Sequence, residues 1–157
     1  MIQLFTELQE KKNVRSNLSA LRASLKEATE EQKAQAIEFV RGHEDLVFGF
    51  LQEEDAKTRK NAALLLGDLA VQNALQPLWK AYTREQTLFV KSAYLEAMKA
   101  LHAEEILSQL KDRFAELEGE PVTEENRKHW EAELRALRAI LIQYEGIDTH
   151  HFDIKQK

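Results

Sequence analysis

Cysteine is absent from the 157 residues, which excludes disulfides, thiolate catalysis and cysteine-ligated metals. Only 5 Gly and 2 Pro are present, too little punctuation for a fold rich in strands and tight turns. No stretch approaches the roughly 18 uninterrupted apolar residues of a membrane span. The opening MIQLFTELQEKKN lacks the basic-then-apolar layout of a secretory signal. A soluble, cytoplasmic protein with no membrane attachment is the expectation. Charge of neither sign dominates. With a net charge of -5 and a pI near 5.6, nothing draws the whole chain toward a phosphate backbone.

What is present is apolar residues at three-to-four spacing from one end to the other, and this predicts an all-α fold. Ile2, Leu4, Phe5 and Leu8 form a first stripe, and Leu18, Leu21 and Leu25 a second that Ser16 or Asn17 would cap. Thr29 with Gln32 has the spacing of a capping box. The helix after it carries Ala36, Ile37, Phe39 and Val40 and ends near Gly42; Leu46, Val47, Phe50 and Leu51 mark its partner. Thr123 is predicted to open a long helix through Trp130, Leu134, Leu137 and Leu141, stopped by Gly146. Beyond it, residues 147–157 alternate in a strand-like way, so they are either a loose tail or a connection to a further domain. The expected division is a helical domain over 1–146 and this terminal segment.

Between these ends one unit is written twice. DAKTRKNAALLLGDLAVQNALQPLWKAY and LFVKSAYLEAMKALHAEEILSQLKDRF align at a shift of 32 residues, from Arg59 to Lys91. Leu69 then meets Leu101, Leu75 meets Leu107, Leu78 meets Leu110 and Tyr82 meets Phe114. A fixed period of this length predicts stacked helix pairs, each covering the apolar face of its neighbour. Asp55 would cap the first copy, and Pro77 falls in a first turn, where its missing N–H costs least.

Asp55, Arg59, Ala62, Ala63, Leu66, Gly67, Ala74, Leu75, Pro77 and Leu78 resemble the pattern of a HEAT repeat, of the short type found in bilin-lyase-like (PBS-lyase) repeat proteins. The second copy keeps Val90, Lys91, Tyr94 and Met98 but has Lys99 where the pattern has glycine, and no later proline. The resemblance implies an α-α superhelix of about four antiparallel helix pairs plus the long C-terminal helix, used as a binding surface. It carries over no lyase activity, because the matching residues are structural ones.

Side chains that could carry chemistry have plainer explanations. The acidic clusters Glu30–Glu31, Glu44–Asp45, Glu53–Asp55, Glu104–Glu105 and Glu124–Glu125 fall at predicted helix starts, where the helix dipole favours carboxylates. His150 and His151 would point to opposite faces of an extended segment, and His129 lacks a Glu three residues before it. Glu124–Lys128 and Glu131–Arg135 have the spacing of intrahelical pairs. Trp79 and Trp130 lie beside apolar stripes and are expected in the core. No phosphate loop, nucleophile elbow or zinc-protease motif occurs. The expectation is a non-catalytic protein-interaction or scaffold module with no metal and no cofactor. Its partner would be a protein held on a concave face built from second helices. Gln76, Lys80 and Thr83 would lie there beside Ser108, Asp112 and Ala115. The alternative is an accessory nucleic-acid-binding or substrate-positioning domain of a larger enzyme such as an RNA or DNA methyltransferase.

Overall fold

The structure, a computed structural model, describes residues 1–144. Every regular element among the described residues is a helix, and none of those helices is long and apolar enough to cross a membrane. Gly146 and the strand-like stretch 147–157 lie outside the described residues. The chain divides into two compact units, one over Met1–Leu101 and one from His102 onward.

The first unit holds α1 (Ile2–Gln9), α2 (Val14–Leu25), α3 (Glu30–Gly42), α4 (Glu44–Gly49), α5 (Ala56–Asp68), α6 (Leu75–Arg84) and α7 (Leu88–Ala100). Short 3-10 turns at Phe50–Gln52 and Gln72–Ala74 lead toward α5 and into α6. Its spine is α2 against α5 and α5 against α7. Leu18, Leu21, Leu65, Leu66, Tyr94 and Met98 are buried there, each apolar side chain contributing about 1.5–3 kcal/mol. α5 and α7 approach closely because Gly67 has no side chain. A Cβ at that position would stand 2.9 Å from the Ala97 Cα.

Helix ends follow local chemistry. Thr29 and Gln32 form the expected capping box, with reciprocal bonds of 3.0 and 3.1 Å. Asp55 caps α5 by accepting from the Thr58 N–H at 2.9 Å and the Thr58 hydroxyl at 2.8 Å. These bonds, the hydroxyl's first, hold the Asp55 carboxyl below its usual range. α2 departs from expectation: it starts at Val14 after Asn13, whose backbone is left-handed at φ 46°. Asn17 sits inside the helix, donating to the Lys12 carbonyl at 2.8 Å and the Glu7 carboxylate at 3.3 Å. Past the Leu69 cap of α5, Ala70 is left-handed at φ 51°. The Val71 N–H bonds the Leu66 carbonyl and the Ala70 N–H bonds the Gly67 carbonyl, both at 3.0 Å. That is a Schellman closure built without glycine.

The second unit holds a 3-10 turn at Ala103–Ile106, α8 (Leu107–Gly119) and α9 (Arg127–Ile142). Arg113 of α8 reaches Glu133 of α9 at 3.0 Å and also meets Glu116 and Glu120. The Trp130 indole donates to the Leu117 carbonyl, and the Ala103 N–H donates to the Tyr144 hydroxyl at 2.7 Å. α9 begins at Arg127, after Thr123 and Asn126 exchange bonds of 2.8 and 3.3 Å. Glu124 therefore precedes the helix, and the regular i,i+4 geometry expected with Lys128 is lost.

The repeat is visible in the element boundaries. α5 and α7 start at 56 and 88 and end at 68 and 100, while α6 and α8 start at 75 and 107. All three shifts are the 32 residues read from the sequence.

Candidate functional site

A groove of about 780 Å³ lies within the first unit, running along α6. One wall is a stripe of α6 that presents Gln76, Lys80 and Arg84, one turn apart and all exposed. The facing wall is the chain leaving α4, with Gln52, Glu53 and Glu54 exposed. Half-buried Phe48, Pro77 and Ala81, with buried Leu51, form an apolar strip between the walls.

Beneath the strip lies a polar lock. The Arg59 guanidinium pairs with both oxygens of Glu85 at 2.9 Å each. A third nitrogen donates to the carbonyls of Glu53 and Glu54 at 2.8 Å each. The Glu85 carboxylate also accepts from the Thr87 N–H at 3.1 Å and the Tyr94 hydroxyl at 3.2 Å. The Arg59 side chain is 17% exposed and that of Glu85 only 5%. Burial alone would raise the Glu85 pKa; the Arg59 hydrogen bonds, the Thr87 N–H and the Arg59 charge outweigh it and hold the carboxyl below its usual range. The same pairing drives Arg59 above its ordinary value. Burial, then the Glu85 charge, raises the Tyr94 hydroxyl. Glu85 is thus the buried carboxylate of the groove, and its oxygens are committed to four donors within the chain.

Of the residues expected on the binding face, Gln76 and Lys80 line this groove. Thr83 is exposed on α6, with its hydroxyl donating to the Lys80 carbonyl at 2.7 Å. Ser108, Asp112 and Ala115 are exposed on α8 and belong to the second unit. Arg84, Glu53 and Glu54 line the groove in addition to that expected face. Arg84 follows Lys80 by four positions, and that signal was available; the facing acidic wall comes from a different helix pair and leaves no periodic trace. Trp79 and Trp130 are half-buried, less covered than their stripes suggested. The Trp79 ring lies 5.4 Å from that of Tyr82.

A smaller crevice of about 450 Å³ also carries cations, but two of them are engaged. Arg22 bonds Asp68 at 2.7 Å and Lys33 lies 3.8 Å from Glu30. Among the described residues no group of three His, Asp or Glu is placed to hold a metal ion. His150 and His151 fall outside that set. No family model, curated protein or solved structure matches this chain.

Proposed function

We propose that the chain is a non-catalytic interaction module of the HEAT-like helical-repeat kind, and that its partner is a segment of another protein held in the groove along α6. The observation that carries this reading is the locked floor under an open, mixed rim. Arg59, Glu85 and Tyr94 satisfy one another, while Gln76, Lys80, Arg84, Glu53 and Glu54 stand exposed around an apolar strip. A buried carboxylate already bonded to four donors is a poor general base, which favours binding over catalysis. The shift of 32 residues shared by three helix boundaries supports the repeat assignment. A nucleic-acid partner is the less favoured reading, since Glu53 and Glu54 would face the phosphates that Lys80 and Arg84 attract.

The test is a display library of random peptides selected on the full chain and counter-selected on a Gln76→Glu, Lys80→Glu variant. Sequences that bind the first and not the second are expected, with both proteins melting at similar temperatures. Enrichment that ignores the substitutions would remove the groove from the proposal. Retention of an oligonucleotide at low salt, lost in the same variant, would favour the nucleic-acid reading.

A further inference from the structure

Resting on the peptide reading above, we infer that the occupant is an acidic–apolar segment, with two carboxylates about 6 Å apart flanking or adjoining an apolar anchor. Lys80 and Arg84 are four residues apart on α6, so their stems rise from points about 6 Å apart along the helix axis. That spacing is matched by alternate residues of an extended peptide, about 6.6–6.8 Å apart, or by one turn of a helical one. Among the described residues neither cation has an acidic partner: Arg59, Arg15, Arg22 and Arg113 hold the carboxylates they meet, whereas Lys80 and Arg84 reach into the groove without one.

Glu85, which lines the groove with its side chain only 5% exposed, is neutralised by Arg59 and so leaves the stripe's positive charge uncancelled. Phe48, Leu51, Pro77 and Ala81 supply the seat for the anchor beside these charges. Glu53 and Glu54 across the groove set direction: a segment acidic along its whole length meets repulsion on that wall, whereas one with a basic or neutral flank there does not. The chain's net charge of -5 gives no long-range attraction for such a segment, so selectivity comes from the local pairs.

The experiment uses fluorescent peptides of one length and one leucine anchor, carrying two glutamates, two glutamines or two lysines around it, titrated against the full chain. The glutamate peptide is expected to bind at least about tenfold more tightly than the lysine peptide, as two exposed pairs and two repulsions add. In a Lys80→Glu, Arg84→Glu variant the order is expected to reverse, an exchange that a loss of folding cannot produce. Ala81→Trp, which fills the apolar strip, is expected to abolish binding of every peptide. Equal affinity for the glutamate and lysine peptides, with binding still lost in Ala81→Trp, would overturn the acidic preference and leave the groove reading standing. No binding by any peptide, or binding indifferent to Ala81→Trp, would overturn both.

Discussion

Arg59 and Lys91 occupy the same position in the two copies of the repeat, yet their surroundings differ. Arg59 is forked onto Glu85 and holds two backbone carbonyls. Lys91 lies over the face of Tyr82, its ammonium 5.4 Å from the ring centre. The reason is in the partners rather than in the cations. Thirty-two residues after Glu85 stands Leu117, buried at 2% exposure. The second copy carries leucine where the first carries a carboxylate, and a compact ammonium lacks the planar fork by which Arg59 grips both oxygens of Glu85. Both copies thus place a cation at this position, while the side chain at the matching partner position differs.

Breaking the lock is the strongest way to test this contrast. Arg59→Ala strands a nearly buried carboxylate and is expected to destabilise the fold by about 3–5 kcal/mol. Lys91→Ala forfeits a contact on the order of 1 kcal/mol. Urea denaturation of both variants reads the difference directly; equal losses would show the two positions to be equivalent after all. Gly67 offers the next contrast, because its counterpart in the second copy is the exposed Lys99. Gly67→Ala pushes a methyl onto the Ala97 backbone and is expected to cost about 1–3 kcal/mol. Gly49→Ala, with nothing within 4 Å, should instead gain about 0.5–1 kcal/mol.

Acid is expected to act more gently, through Glu85. Because the folded carboxyl of Glu85 titrates below its unfolded value of 4.5, its contribution is complete above that pH. It is lost as the pH falls through the lower folded value. Glu85→Gln should flatten the acid limb of the stability profile measured by denaturant midpoints between pH 6 and pH 3, a range of about 3 units chosen to bracket ordinary carboxylates. An unchanged limb would mean that other carboxylates account for it. The smallest effect is expected at Ala70, left-handed at φ 51°. Ala70→Gly relieves strain of about 1–2 kcal/mol at an entropic cost of about 0.5–1 kcal/mol, so most of the relief cancels and the net gain in thermal unfolding lies between about 0 and 1.5 kcal/mol. His102, the matching residue at φ -82°, should gain nothing from glycine.

Much of the helical framework could be read in advance, because caps and apolar periods are local. Asp55 and Thr29 each announce their helix by bonding groups three residues away. The repeat shift survives into the helix boundaries for the same reason. What stayed hidden depends on partners distant in the chain. Arg59 meets Glu85 across 26 residues, and no spacing rule singles out that glutamate from its neighbours. The entry into α2 differs from the expected cap at Ser16 or Asn17, since a left-handed Asn13 opens the helix without a side-chain cap. Of the candidate face, Gln76 and Lys80 could be found from the stripe on α6, while Glu53 and Glu54 could not.

The four donors gathered on Glu85 have a kinetic consequence. If the groove holds a partner segment as proposed, a cleft whose base is fastened by the chain's own groups would meet each visitor already shaped, and capture would be timed by diffusion and orientation instead of by rearrangement. Affinity differences between visitors would then be written in how long they stay, and a dissociation measurement would separate them before an association measurement could.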